Sequence, residues 1–395
     1  MWPTTRMICL LTVCVGGSWL SGAARAQALP RYQLTDLGYL TSTRNEVYVR
    51  GLNDLGQVVG ICEISNVNHP FVWTAQDGMR ELAGTVGASR GAALDINNAG
   101  QIVGTVRVGS DYRPIHWDIA DVNAPVDLGG LYSPADEGSA WGINASGQIV
   151  GSCGPSYSHA FFRDTNDTML DLGQLDGGSR DDSRAYAVND FGHAVGVSDL
   201  SGNNQHAFYW TQTGGLHDLG AFPNTSTETS VAYDVNNSDL IVGYSNRQGG
   251  TYRATWWTSN SVEPTDLGDL PGGNDNSIAY AVNDAGLIVG RGQVSGSFHA
   301  VIWDGSLLIH DLNGLLDSSG YNWVLKEAWD INAAGQIVAW GEDPTGEQRA
   351  VLLTPVPEPA TFLLAGLGLL WLVLFGVMRR RDLGPRCRST RFLPG

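Results

Sequence analysis

The phrase WGINASGQIVG at 141–151 is written seven times along the 395-residue chain. Its relatives are RGLNDLGQVVG at 50–60, LDINNAGQIVG at 94–104, YAVNDFGHAVG at 186–196, YDVNNSDLIVG at 233–243, YAVNDAGLIVG at 280–290 and WDINAAGQIVA at 329–339. The asparagines fall at 53, 97, 144, 189, 236, 283 and 332, a period of 44 to 49 residues. Self-similarity at that period points to one supersecondary unit packed on copies of itself, because a lone unit cannot bury its apolar face. Two further phrases rotate in step. An aromatic-rich one reads HPFVW at 69–73, RPIHW at 113–117, HAFFR at 159–163, HAFYW at 206–210, RATWW at 253–257, HAVIW at 299–303 and RAVLL at 349–353. An acidic one reads TDLG at 35–38, RELAG at 80–84, VDLGG at 126–130, LDLGQ at 170–174, HDLGA at 217–221, TDLGD at 265–269 and HDLNG at 310–314.

Each phrase reads as strand or turn. QIVG and HAFYW are short, β-branched or aromatic, and bounded by Gly, Asn and Ser. Helical spacing of apolar residues is missing outside the two ends of the chain. Within I/V-N-x-x-G, Asn suits the first position of a type I turn and Gly the fourth, where φ tends positive. In the fifth copy Asp239 replaces that glycine, and Asp tolerates the left-handed region better than most residues. Fifty-one glycines, about double the ordinary share, fit many short strands joined by turns. One unit supplies four strands: AYAVN at 185–189, GHAVGVSD at 192–199, QHAFYWTQ at 205–212 and LHDLGAF at 216–222. Four strands in about 45 residues, seven times over, predict an all-β fold, a seven-bladed β-propeller. A linear solenoid would need capping ends, and the sequence offers none.

The frame of the repeat predicts how the ring closes. The body opens with a lone fourth strand, RYQLTDLGYL at 31–40, and ends after a third strand, EQRAVLLT at 347–354. Pairing the two completes the last blade and hides two sheet edges.

Both ends read as targeting segments. MWPTTR, the apolar run MICLLTVCVGGSWL and the small-residue site ending at Ala26 form a secretory signal peptide over 1–26. At the other end, VPEP at 356–359 precedes the apolar stretch 360–378 and the cluster Arg379, Arg380, Arg381. Nineteen residues at 1.5 Å each span about 28 Å, the reach of a transmembrane helix, and the arginines place its far end in the cytoplasm. Pro357, Glu358 and Pro359, the apolar helix and the basic cluster, in that order, resemble the PEP-CTERM sorting signal of Gram-negative bacteria. The resemblance covers 355–381 and implies processing by an exosortase, so that a membrane-anchored precursor becomes a surface or extracellular protein. A short basic tail, 382–395, extends past the point where such signals usually stop. Over residues 31–354 the HAF and DLG phrases resemble the extracellular HAF-repeat proteins, which implies repeat architecture and surface or matrix location but no particular reaction.

Charge and cysteine content narrow the partners. Forty acidic residues less Glu358 and Asp382 leave 38, and 23 basic residues less Arg6, Arg25 and six in the tail leave 15. The propeller body, 27–354, therefore carries about −23, which argues against nucleic acid or anionic lipid as a partner. Cys62 and Cys153 are the cysteines of the body, leaving room for one disulfide and excluding a disulfide scaffold.

The search for chemistry yields few candidates. Gly87-Ala88-Ser89-Arg90-Gly91 fits G-x-S-x-G, but a nucleophile elbow needs a helix after its serine and the segment runs on into AALDIN. His69, His159, His206 and His299 alternate with Arg113, Arg253 and Arg349 at one repeat position; arginine ligates no metal, so a hydrogen-bonding role across blades or to a neighbouring loop suits all seven. The ring of seven asparagines is explained by turn chemistry. Trp141, Tyr186, Tyr233, Tyr280 and Trp329 on first strands, like Trp73, Trp117, Trp210, Trp257 and Trp303 on third strands, read as inter-blade packing rather than a sugar platform. The sharpest catalytic candidate is Asp95, Asp234 and Asp330, which alternate with Gly51, Gly142, Ala187 and Ala281 just before I/V-N and should face the central channel. As an acid/base pair they would need two carboxylates within about 5–10 Å. Otherwise they are solvated channel residues. A binding rim could form from Asp136, Glu137, Asp176, Asp181, Asp182 and Asp275 in the irregular loops between blades, where rigid scaffolds carry function. Asp176, Asp181 and Asp182 offer oxygens of the kind Ca²⁺ takes, in a spacing that matches no EF-hand; no other cofactor or metal is expected.

These readings favour a non-catalytic module that binds polysaccharide (glycan) or a surface protein. A carbohydrate-active hydrolase or lyase using the channel carboxylates is the alternative, and a passive matrix spacer the third.

Overall fold

The computed structural model describes residues 29–357, apart from 42–45, 85–87, 176–181, 202–203, 224–226 and 248–249. The signal-peptide reading with Ala26, the helix at 360–378, Glu358, Pro359 and Arg379 to Arg381 all lie outside the described residues, as do Asp176 and Asp181. Among the described residues no helix is long and apolar enough to cross a membrane.

Seven four-stranded antiparallel sheets surround one axis as the blades of a propeller. Blades 1 to 6 span 46–81, 88–127, 137–173, 183–218, 230–266 and 277–311, each a meander of four consecutive strands. Blade 7 takes three strands from 324–356 and its outer strand from the chain's start. That closing strand, Arg31–Asp36, pairs in register with the third strand, Gln348–Val356, from Arg31 opposite Val356 to Asp36 opposite Val351. Two short 3₁₀ turns between blades 6 and 7 clamp it. The Ser319 hydroxyl accepts from the Leu34 amide at 2.7 Å, and Arg31 donates to the Gly314 carbonyl at 2.7 Å.

The core lies between blades. Val59, Val72 and Leu82 of blade 1 pack with Ile102, Ile115 and Trp117 of blade 2. Across the closure, Val338, Ala350 and Leu352 of blade 7 pack with Val47, Val58 and Trp73 of blade 1. The third-strand tryptophans belong to these seams. Trp117, Trp257 and Trp303 are fully buried, and the Trp117 and Trp303 indoles donate to the Ala83 and Leu267 carbonyls of the preceding blades at 2.7 and 2.9 Å.

The HAF and DLG phrases meet within a blade, and the expected reach to a neighbouring loop is made as well, by Arg253 to Asp275 at 2.7 Å. The opening His or Arg of the third strand pairs with the acid of the fourth: His69 with Glu81, Arg113 with Asp127, His159 with Asp171, His206 with Asp218, Arg253 with Asp266 and His299 with Asp311, at 2.6 to 3.1 Å. Blade 7 repeats the pairing across the closure, Arg349 to Asp36 at 3.3 Å. Cys62 and Cys153 stand on the second strands of blades 1 and 3, both buried and both free; the two blades are separated by blade 2, so the disulfide does not form.

Candidate functional site

The first strand of every blade carries a β-bulge at one repeat position. In blade 4, Ala185 and Ala187 face consecutive partners, Gly196 and Val195, and Tyr186 between them is the extra residue. Arg50, Leu94, Trp141, Tyr233, Tyr280 and Trp329 occupy the same place in the other six blades. A bulge breaks the alternation of a strand and re-aims a side chain, so two successive residues turn toward the axis. All seven bulged residues line one cavity of about 340 Å³ in the central channel.

Five of them form an aromatic collar. Neighbouring ring centroids are 5.5 Å apart from Trp141 to Tyr186, Tyr186 to Tyr233 and Tyr233 to Tyr280, and 4.3 Å from Tyr280 to Trp329, which are stacked. The Arg50 guanidinium lies over the Trp329 ring at 4.1 Å and extends the arc into blade 1. The expected inter-blade packing is present, since each ring touches one on the neighbouring blade and Trp329 also packs on the seam between blades 7 and 1. The same rings also wall the cavity. Strict alternation puts the large residue and the Gly, Ala or Asp after it on opposite faces, which is why the sequence pattern does not disclose the pair.

Asp95, Asp234 and Asp330 line the same cavity one residue further along. Each uses both carboxylate oxygens on backbone amides. Asp95 accepts from Ile96 at 2.7 Å and from Ile143 of blade 3 at 2.8 Å. Asp234 accepts from Val235 and from Val282 of blade 6, both at 2.8 Å, and Asp330 from Ile331 and from Leu52 of blade 1, both at 2.7 Å. Three aspartates therefore tie together blades 2 and 3, 5 and 6, and 7 and 1. The small residues between them are required by crowding, since a Cβ on Gly142 would lie 2.7 Å from the Tyr186 carbonyl. Burial lifts Asp95 and Asp234 to about 6. Burial lifts Asp330 well above the usual carboxylate range, helped by the other two charges.

Beyond the aspartates the channel meets the seven asparagines, and here turn chemistry was half of the answer. Each Asn side-chain oxygen accepts from amides of its own hairpin, as Asn144 does from Ser146 and Gln148 at 3.1 and 2.9 Å. The side-chain NH₂ donates to the backbone carbonyl of the next asparagine: Asn53 to Asn97, Asn97 to Asn144, Asn144 to Asn189, Asn189 to Asn236, Asn236 to Asn283, Asn283 to Asn332 and Asn332 back to Asn53, all at 2.9 to 3.1 Å. The result is a closed girdle of seven hydrogen bonds around a hollow of about 230 Å³. Asp239, replacing glycine, takes a φ of 56°. The chain leaves the fold on this side, since Gln336 of the blade 7 hairpin donates to the Thr354 hydroxyl at 3.2 Å. Pro357, the last described residue, is exposed there.

The described loop carboxylates are not gathered. Asp136 is buried and accepts from the Tyr132 and Ser133 amides of its own loop at 2.8 and 3.0 Å. Asp182 accepts from the Ser158 amide, Asp275 pairs with Arg253 at 2.7 Å, and Glu137 is exposed at the start of blade 3. Among the described residues no cluster of three or more His, Cys, Asp or Glu could hold a metal.

Residues 355–381 match the PEP-CTERM protein-sorting motif, which implies export in a Gram-negative bacterium and processing by an exosortase. Comparison with curated proteins returns no match. Among solved structures the chain is similar to a puromycin-hydrolysing peptidase of Mycobacterium tuberculosis, at 12% identity and a TM-score of 0.58 over 85% of this chain; it spans 56% of that peptidase. It is also similar to oligogalacturonate lyase of Vibrio parahaemolyticus, at 10% identity and a TM-score of 0.50, over 82% of this chain and 94% of that one. At these identities the likeness is one of fold.

Proposed function

We propose that this exported propeller is a non-catalytic glycan-binding module whose ligand enters the collar of the central channel. The aromatic arc carries this reading. Five rings on rigid strands line the cavity with apolar surface of the kind on which sugar rings stack, Trp329 already carrying Tyr280 and Arg50 on its ring. Aromatic side chains combine large contact area with little rotamer entropy to lose. The sorting motif supports a mature life at the cell surface or in the extracellular matrix, where polysaccharide is available. Surface proteins remain the other class of partner. Calorimetric titration of the full chain with neutral and acidic oligosaccharides tests the reading. Trp141→Ala together with Trp329→Ala should weaken binding by about tenfold or more, and an unchanged affinity would remove the collar from the site.

Hydrolysis or elimination by Asp95, Asp234 and Asp330 is the second reading, favoured by their raised proton affinity beside the collar. Binding is preferred because both oxygens of every carboxylate are already engaged by backbone amides. Release of new chain ends from a bound polysaccharide, abolished by Asp→Asn variants, would reverse that preference.

A further inference from the structure

We infer that the channel selects a carboxylate-bearing sugar, with Arg50 as the group that recognises the charge. This rests on the glycan reading and deepens it. The collar presents three tyrosine hydroxyls, which both donate and accept, and one guanidinium, which only donates. The hydroxyls of Tyr186, Tyr233 and Tyr280 have no hydrogen-bond partner among the described residues, and none is sealed away from the cavity they line. No carboxylate lies within ion-pair distance of Arg50 among the described residues; its guanidinium rests on the Trp329 face at 4.1 Å, burial lowers its proton affinity, and Glu327 acts on it only at longer range. Arg113, Arg253, Arg291 and Arg349, by contrast, each hold a carboxylate. An unpaired guanidinium on a cavity wall is incompletely satisfied, and a planar carboxylate matches its two parallel donors. Contact with the Trp329 ring limits the freedom of the guanidinium before a ligand arrives. The aspartates nearby do not cancel the attraction, since their oxygens are turned onto backbone amides and burial favours their neutral forms. A neutral sugar would stack on the same rings but leave Arg50 unanswered.

The test uses the full chain in detergent at pH 5 and two ligands: alginate-derived hexuronate oligomers, and the same oligomers with their carboxyl groups reduced to hydroxymethyl. The hexuronate should bind about tenfold more tightly, and the preference should shrink between 50 and 300 mM salt, as a charge-assisted contact requires. Arg50→Gln should bring the two affinities to within about twofold of each other, with Arg50→Lys in between. Equal affinities in the unmodified protein, or a preference that survives Arg50→Gln, would overturn the role of Arg50 while leaving glycan binding intact. If neither oligomer binds, the glycan reading itself fails. Should Arg50→Gln not fold, the salt dependence of the unmodified protein decides.

Discussion

Asn144 accepts two amides of its own hairpin and donates to the Asn189 carbonyl of the next blade at 2.9 Å. The two roles separate on substitution. Aspartate serves an Asx turn as well as asparagine does, so a residue needed only for its turn would tolerate Asn144→Asp. In the girdle, aspartate loses the donor and sets an anionic oxygen against a buried carbonyl. Asn144→Asp should cost roughly 1–3 kcal/mol by urea unfolding, whereas a turn-only role predicts almost no change. The seven asparagines were legible as turns because the signature of a turn is local; the donated bond reaches a residue 44 or more positions away and leaves no local trace. The channel aspartates give a pH prediction. Their folded pKa values are raised, to about 6 for Asp95 and Asp234. The folded state therefore holds their protons more tightly than the unfolded chain, and the stability this confers is full below about pH 4 and lost as pH rises through about 6. Asp171, Asp218 and Asp304 have depressed values and act in the opposite sense, but only below the ordinary carboxylate range. Thermal unfolding should show a fall of roughly 1–3 kcal/mol between pH 4.5 and 7.5, and a flat or rising profile over that window would contradict the assigned protonation.

At the scale of the strand, the bulge and a glycine are two halves of one device. The glycine ending QIVG faces the first strand where the bulge draws the backbones together. A Cβ on Gly196 would lie 1.9 Å from the Arg184 carbonyl, and one on Gly243 1.9 Å from the Val231 carbonyl. The seventh copy ends in Ala339 instead, in a blade whose first strand carries an additional bulge between Leu325 and Glu327. Gly196→Ala should thus be destabilising by about 1–3 kcal/mol or more, while Ala339→Gly should cost only about 0.5–1 kcal/mol. Similar costs for both would mean that blade 7 has no extra room. Strands and hairpins were readable from the phrases, since β-branched and aromatic runs ending in N-x-x-G specify them. The bulge was not, because the period-2 rule assigns Tyr186 and Ala187 to opposite faces and hides the collar. The HAF and DLG pairing was also out of view, since His206 and Asp218 stand twelve positions apart in sequence while the hairpin joins them.

For the whole molecule, closure is the decisive event. The frame of the repeat, starting on a fourth strand and stopping after a third, was sufficient to read it, because an open ring would expose two edges. Deleting residues 31–40 removes the strand of Arg31–Asp36, the buried Tyr32 and Leu37, and the Asp36 partner of Arg349. The truncated chain should melt well below the full one and with reduced cooperativity; an unchanged melting profile would mean that the ring closes by other means. The sorting motif predicts a mature C-terminus at 357–359, and an intact mass that still includes Arg379 to Arg381 would show that the tail is retained.

The pairing that closes the ring also decides how the molecule bears tension. Val356, next to the last described residue, ends a strand hydrogen-bonded on both sides, to Ile337–Glu342 and to Arg31–Asp36. A pull transmitted through residue 357 runs along that strand, so both ladders are loaded in shear and their bonds must yield together rather than one at a time. A propeller tethered from this end and gripped by a ligand in its channel would resist traction best at its own seam.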